Sequence, residues 1–137
     1  MQNNPSIYTK TVQTHKADVW AVATNNSSGV DTQGFSHAIV VVNTGTATAT
    51  GTLDVTVEES LTSGGTYTAI TGAVMAQVTT ANDDTLFVGS IRLDPVMQFI
   101  RVVGTVDTDT VEFSSSVVLM DPARSADQAD QTFAFGV

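Results

Sequence analysis

The chain has 137 residues, with five Lys and Arg against fourteen Asp and Glu, and its formal net charge at pH 7 is -9. This length suits a single domain. The acidic balance argues against binding to nucleic acid or to an anionic membrane surface, because both need clustered cations. The absence of cysteine excludes disulfide bonds, thiolate metal sites and cysteine nucleophiles.

Threonine and valine dominate the composition and predict an all-β protein. The sequence contains 22 Thr and 20 Val, and both residue types are β-branched and favour strands. No apolar run approaches the roughly 18 residues of a membrane-spanning helix. The first ten residues, MQNNPSIYTK, have neither a basic start nor an apolar stretch, so we expect no cleaved signal peptide.

The chain begins with a polar segment, residues 1–18, in which Ile7 and Tyr8 are among the few apolar anchors. We interpret this segment as an N-terminal arm. Two apolar runs follow, at residues 19–23 and 35–43. The second run is nearly continuous, which is the pattern of a strand that is covered on both faces.

The middle of the chain shows the alternation of half-buried strands. Residues 53–59 alternate apolar and polar side chains, and a turn at 63–65 leads into residues 66–71, which predicts a strand pair. Further strands are predicted at residues 74–79, 85–93, 97–104 and 110–120. The residues between the last two, TVDTD, are predicted to form a hairpin loop. Eight or nine short strands favour a β-sandwich, jelly-roll or immunoglobulin-like, over a closed barrel.

The composition changes after Met120, where an Asp-Pro pair begins a segment that ends in an apolar tip with Phe133 and Phe135. We interpret this segment as a C-terminal arm. The tip folds back onto its own sandwich, docks on a neighbouring subunit or frays without function, and the sequence leaves these alternatives open. The predicted division is therefore an N-terminal arm at 1–18, a sandwich domain at 19–120 and a C-terminal arm at 121–137.

The residue types of catalytic sites are sparse. The two histidines, His15 and His37, are not accompanied by a G-x-S-x-G motif, so we expect them to lie on the surface or to pack in a sheet. Acidic loop residues such as Asp83 and Asp84 could supply oxygen ligands to calcium, but the spacing of a calcium loop is absent. We therefore expect no enzyme activity, no metal site and no cofactor.

The arginines suggest ion pairs. Arg92 and Arg101 lie in apolar strands of an acidic protein, so we expect each to pair with an Asp or Glu. The pairing is either within the chain or between subunits, because Arg is enriched at protein interfaces.

Two stretches of sequence are similar to a known family. The segment from Val40 to Ile70, VVVNTGTATATGTLDVTVEESLTSGGTYTAI, combines a bend of small residues, an alternating strand, a Ser-Gly-Gly turn and a second strand. The later stretch MQFIRVVGTV, residues 97–106, adds a strand with an Arg-Val pair. On these residues, about half of the chain, the sequence resembles the head decoration (cement) proteins of tailed bacteriophages.

The resemblance implies a β-sandwich without catalytic residues that sits on the outer capsid surface, often as a trimer, and stabilises the capsid. The implied partners are the major capsid protein and further copies of the chain in a homotrimer. Decoration proteins often contact the capsid through terminal arms. The matching candidates for capsid or subunit contacts here are Ile7, Tyr8, Arg124, Phe133 and Phe135.

The implied location is the virion surface, after assembly in the host cytoplasm, and the negative charge agrees with it because packaged DNA would repel an acidic protein. Two alternatives remain open at this stage. One is another virion component, such as a head–tail connector, a tail protein or a fibre-base protein. The other is a carbohydrate-binding module that uses Trp20 or Tyr67, although exposed aromatic residues are few.

Overall fold

The described structure consists of strands and the turns and loops that join them. The computed structural model describes residues 9–122, and no helix occurs among them. The strands are β1 (Thr9–Trp20), β2 (Ala23–Asn26), β3 (Val30–Asp31), β4 (Phe35–Ala47), β5 (Thr52–Ser60), β6 (Thr68–Val74), β7 (Leu86–Arg92), β8 (Phe99–Asp107) and β9 (Val111–Pro122).

The strands form two antiparallel sheets that pack as a β-sandwich, as the sequence predicted. Sheet A has the order β1-β9-β4-β7, and sheet B has the order β2-β8-β5-β6, with β3 also paired to β8. The pairing is nested: β5 pairs with β6, β4 with β7, β2 and β3 with β8, and β1 with β9. This is the wrapped-hairpin arrangement of a jelly roll, so the immunoglobulin-like alternative does not apply.

The core lies between the two sheets and consists mainly of valine, leucine and isoleucine. In β5 the alternation predicted from the sequence is confirmed, since Leu53, Val55 and Val57 are buried and face the other sheet. Burial of this apolar surface is the main stabilising contribution, at about 25 cal/mol per Å². The buried residues of the cluster are Val30, Ala38, Val40, Val42, Ala47, Leu53, Val55, Val57, Val78, Leu93, Ile100, Val102, Val106, Val111, Phe113, Val117 and Leu119.

The predicted domain boundaries differ from the structure at both ends. Residues 9–18, which we assigned to an N-terminal arm, form most of β1 and pair with β9. Their polar composition concealed the strand, because β1 lies at the edge of sheet A and much of it faces solvent. At the other end β9 continues to Pro122, beyond the predicted boundary at residue 120.

The connection between β8 and β9 is not a hairpin. Three of the five residues predicted as a hairpin loop, 105–107, belong to β8. The two strands lie in different sheets, so the short turn after Asp107 carries the chain across the sandwich. Thr108 adopts a left-handed backbone conformation in this turn, with φ of 68°. The sequence signal for a tight turn was read correctly, but it does not say which sheet the next strand joins.

One glycine allows the two sheets to approach. A Cβ atom built on Gly104 in β8 would lie 2.8 Å from Cζ of Phe113, whose ring projects from β9 across the core. Phe113 is buried, so its ring has little freedom to move away. Glycine at position 104 therefore provides the space that the largest side chain of the core occupies.

We expect Gly104→Ala to lower the free energy of unfolding by about 1–3 kcal/mol, because the added methyl group overpacks the core. Urea unfolding at 25 °C measures this change. In a Phe113→Leu background the same substitution should cost much less, since the contacting ring atoms are gone. Gly64→Ala is the control, because a Cβ there meets no atom within 4 Å. Equal costs of Gly104→Ala in the two backgrounds would contradict this explanation.

Candidate functional site

The outer face of sheet A contains an uncharged stretch on β7, β4 and β9 in which aliphatic side chains alternate with small polar ones. Cross-strand partners share a face of a sheet, and the register aligns Val88 of β7 with Val41 of β4 and Ser116 of β9. The next row contains Ser90, Ile39 and Val118. We call this surface the sheet A face and define it by Leu86, Val88, Ser90, Arg92, His37, Ile39, Val41, Asn43, Ser114, Ser116, Val118 and Met120.

The twelve residues of the sheet A face include no Asp or Glu, but the next outward residue of β9 is the exposed Glu112, which borders this surface beside Ser114. Leu86 and Val88 are each 59% exposed, which is high for large apolar side chains on adjacent positions of one strand face. At the border of this face Arg92 pairs with Asp94, and the ring of His37 lies 3.0 Å from the Asp121 carboxylate. The centre of the face is thus uncharged.

The outer face of sheet B has the opposite character. Its outward side chains on β5 include Asp54 and Glu58, and those on β8 include Arg101 and Asp107. This face is therefore charged and hydrated. The contrast between the two sheets identifies the sheet A face as the candidate surface for binding another protein.

Both ends of the described chain lie at one end of sheet A. Thr9 at the start of β1 is paired with Met120 near the end of β9, and Pro122 is paired with Phe35 at the start of β4. Residues 1–8 and 123–137 therefore join the sandwich close to each other. The candidate contact residues on these segments lie outside the described residues, and they are Ile7, Tyr8, Arg124, Phe133 and Phe135.

The structure gives both candidate arginines a partner within the chain. Arg101 on β8 donates from Nε to Oε2 of Glu58 at 2.7 Å, and its guanidinium lies 4.3 Å from the centre of the Tyr67 ring. Both side chains of this ion pair are mostly buried. Arg92 pairs with Asp94 at 2.9 Å, but this ion pair is exposed to solvent and contributes little stability.

The two histidines occupy different environments. His37 is half exposed on β4 and lies 3.0 Å from the Asp121 carboxylate. His15 is only 3% exposed and joins the two sheets at the side of the sandwich where β1 and β2 face each other. Its Nε2 donates to the carbonyl of Asn25 on β2 at 3.0 Å, and its Nδ1 lies 2.7 Å from the Ser115 hydroxyl.

His15 is neutral in this arrangement, and it packs against two aromatic rings. A carbonyl only accepts a hydrogen bond, so Nε2 carries the hydrogen and Nδ1 accepts from Ser115. The His15 ring centre lies 5.4 Å from that of Trp20 and 5.2 Å from that of Phe113. Ser115 is also 3% exposed, so a substrate has no access to this serine and histidine pair.

A groove opens at the opposite side of the sandwich, where β6 and β7 face each other. Its inner part is a cavity of about 90 Å³. One wall is formed by residues 72–74 of β6 and the following Met75, the other wall by residues 89–91 of β7, and the floor by Val40, Val55 and Val57. An outer part of about 310 Å³ continues toward Arg92 and Val96. We call both parts together the β6–β7 groove. The floor residues belong to the core, so the groove brings solvent close to apolar side chains.

Residues 9–122 contain neither a cluster of three or more metal-ligating side chains nor a helix long and apolar enough to cross a membrane. The aromatic residues considered for sugar binding are engaged in the fold. Trp20 donates from Nε1 to the Phe113 carbonyl at 3.1 Å, and Tyr67 donates to the Ser63 carbonyl at 2.9 Å while its ring contacts Arg101.

Sequence reasoning missed the sheet A face, the buried contacts of His15 with Asn25 and Ser115, and the β6–β7 groove. A signal for the first existed: the run at 35–43 is apolar on both faces of a strand, yet only one face of β4 packs in the core. The other two features depend on which strands lie at the edges of the sheets. The local sequence carries no signal for that arrangement.

Comparison with known proteins adds little. No protein-family model and no curated protein matches the sequence. Among solved structures, one similar chain comes from Bacillus endospore appendages, described as a novel family of disulfide-linked pili. The two chains are 14% identical, the match covers 82% of this chain and 89% of that chain, and the TM-score is 0.39. A likeness at this level says nothing about function.

The buried His15 makes stability depend on pH. Burial holds the pKa of His15 below its usual value of 6.5, against the opposing effect of the Asn25 hydrogen bond. The unfolded chain therefore binds a proton at pH values where the folded chain does not, and the free energy of unfolding falls as pH decreases below about 6.5. Each unit of pKa depression contributes about 1.4 kcal/mol to this loss.

We expect His15→Gln to be less stable than the wild type at pH 8, since the ring contacts are lost, and to lose less stability between pH 7.5 and 5. Urea unfolding across this pH range measures both effects. The same comparison in a His37→Gln background separates the contribution of the other histidine. Parallel curves for the wild type and His15→Gln would contradict the assignment of the pH dependence to His15.

Proposed function

We propose that this protein is a virion structural protein that decorates a phage capsid. It binds the outer surface of major capsid subunits, acts as a homotrimer and stabilises the shell without catalysis. The observation that carries the proposal is the sheet A face, whose uncharged middle carries Ile39, Val41 and Val88 on an otherwise acidic protein. The resemblance of residues 40–70 and 97–106 to decoration proteins supports the choice of partner.

The chemistry of the sheet A face suits a protein partner. Monomeric soluble proteins rarely expose large contiguous apolar patches, and those that occur mark interaction sites. Ile39, Val41 and Val88 are β-branched and stiff, so their burial costs little side-chain entropy. A surface of this kind binds a flat, preformed surface such as the outside of a capsid shell.

The terminal segments extend the same contact. Residues 1–8 and 123–137 join the sandwich at the end of sheet A that carries Met120. Ile7, Tyr8 and Arg124 are close in sequence to the points where the chain enters and leaves the sandwich. They add apolar and cationic contacts toward the standard interface of about 800 Å² on each partner. Many copies on one shell multiply the stabilisation that each interface contributes.

The charge distribution supports a position outside the shell. The net charge of -9 opposes contact with packaged DNA. With the sheet A face on the capsid, the charged face of sheet B, with Asp54 and Asp107, points to solvent. The negative charges then stay hydrated, and copies remain soluble before assembly.

We expect Val88→Asp to weaken binding to capsids at least tenfold, because it places a carboxylate on the uncharged part of the proposed interface. Co-sedimentation with purified phage capsids that lack this protein measures the affinity. Val88 is exposed, so the variant keeps its fold, and circular dichroism and thermal unfolding verify this.

Thr24→Asp is the matched control. It adds the same carboxylate at an exposed position on an edge strand, but on sheet B. Capsid binding by this variant should equal that of the wild type. If Val88→Asp binds as tightly as the wild type, the sheet A face is not the contact surface. If the wild type itself does not bind capsids, the proposed function is wrong.

A further inference from the structure

We propose that the C-terminal tip of the chain, residues 132–137, docks in the β6–β7 groove of its own sandwich and completes the core. Phe133, Phe135 and Val137 fill the groove, and the tip lies beside β7 as an added strand. This selects one of the alternatives that the sequence left open for Phe133 and Phe135. The proposal concerns folding of the single chain and does not depend on capsid binding.

The two sides of the sandwich are unequal in the described structure. At the β1–β2 side, His15 bonds to Asn25 across the gap, and Trp20 covers the buried ring of Phe113. At the β6–β7 side, no hydrogen bond between described residues joins the two edge strands, and the groove reaches core residues. Val74 on the margin of this groove is 65% exposed. The apolar walls of the groove therefore have no cover within residues 9–122.

The groove has its shape because β6 leaves the ladder. Thr56 of β5 is paired with Val74, but the next paired residue, Glu58, faces Ala69, so the residues between bulge away from β5. Gly72 lies in this bulge with φ of 85°, a left-handed conformation that favours glycine. Cβ atoms built on Gly72 and Gly89 meet no atom within 4 Å. The absence of a side chain at each glycine therefore leaves empty space in the β6 wall and in the β7 wall of the groove.

The size and chemistry of the groove fit aromatic side chains. The cavity of about 90 Å³ opens into the outer part of about 310 Å³. For comparison, an apolar cavity of about 150 Å³ stays dry and accepts benzene. Val40, Val55 and Val57 form an apolar floor that a phenylalanine ring would cover. An occupant with one or two aromatic rings is therefore expected.

The tip has the pattern of a strand with one apolar side. Phe133, Phe135 and Val137 alternate with Ala134 and Gly136, so the three large side chains would project from the same side of an extended segment. On the side away from β4, β7 has no neighbouring strand within the described chain. Free edges of this kind accept an added strand through main-chain hydrogen bonds.

The tip can reach the groove of its own chain. Met120 is aligned with Arg92 of β7 through His37 of β4, so these two residues lie about 10 Å apart at two strand spacings, and Pro122 follows two residues later. The groove begins at the Arg92 end of β7. Phe133 follows Pro122 by eleven residues, which span up to about 36–40 Å when extended. Docking on the same chain therefore needs only part of the available length.

A short tether also favours docking within the chain over exchange between copies. A segment tethered this close has an effective concentration in the millimolar range. The free protein reaches such concentrations of a second copy only when it is crowded. Docking on the same chain therefore occupies the groove first in dilute solution.

Engineered cysteines test this docking directly, because the natural chain contains none. Three variants combine Gly89→Cys with Phe133→Cys, Phe135→Cys or Val137→Cys, which samples the register of the added strand. We expect at least one of them to form a disulfide within one chain under mild oxidation. The product is identified by mass spectrometry of the non-reduced protein at several protein concentrations.

The control combines the same tail cysteines with Thr24→Cys on the exposed outer face of sheet B, where we expect little crosslinking. Disulfide-linked dimers in place of the intrachain product would overturn docking on the same chain and indicate exchange of tips. Equal crosslinking to positions 24 and 89, or none to either, would overturn docking in the groove.

A second test compares the effect of Gly89→Val on the Tm in a shortened chain and in the full chain, where we expect opposite signs. In a chain that ends at residue 131 the groove is empty, so valine at position 89 has room and should stabilise the strand. In the full chain the same side chain competes with the tip, so Gly89→Val should lower the Tm. Removal of residues 132–137 alone should lower the Tm by about 5–10 °C through loss of apolar burial.

Ser116→Val is the matched control for strand propensity, since residue 116 lies on the outer face of the central strand β9, away from the groove. Its effect should be the same in the full and the shortened chain. If Gly89→Val also has the same effect in both chains, or if the deletion leaves the Tm unchanged, the groove is not the site of the tip. Neither result depends on whether the protein binds capsids.

Discussion

A β-sandwich has two sides at which the edges of its sheets face each other, and each must be covered to keep water from the core. In this protein the nested strand pairing puts β1 and β2 at one side and β6 and β7 at the other. His15 and Trp20 close the first side with hydrogen bonds and ring contacts. The second side is a groove that opens onto core valines. Most of what we infer about this molecule follows from two contrasts. One side of the sandwich is closed and the other is open, and the two outer faces differ in their chemistry.

The core-facing residues of the inner strands were predictable from the sequence because apolar and polar residues alternate along each strand. Leu53, Val55 and Val57 alternate with polar residues, and their burial follows from the two-residue period of a strand. Edge strands were harder to predict, since one side of an edge strand has no partner and tolerates polar residues. This is why β1 resembles a polar arm in the sequence. The sheet to which β9 belongs was also not predictable, because a turn motif specifies a reversal and not a partner.

The candidate site was predictable only in part. The continuous apolar run at 35–43 predicted a strand that is covered on both faces, whereas sheet B covers only one face of β4. Ile39 and Val41 lie on the uncovered face of β4, so a partner on that face would be needed to cover them as the sequence predicted. Arg101 illustrates the opposite case, because its pairing with Glu58 across two strands agrees with the expectation from an acidic sequence. The partner of a single charged residue was thus easier to predict than a surface that three strands form together.

The central functional claim is that many copies of this protein cover a phage capsid. The most direct test is the number of copies relative to the major capsid protein in purified virions, measured by quantitative mass spectrometry with labelled peptide standards. A capsid-wide role predicts a ratio near one to one or a simple fraction such as one to three. A handful of copies per particle would place the protein in the neck or tail, and absence from the particle would contradict the virion assignment altogether.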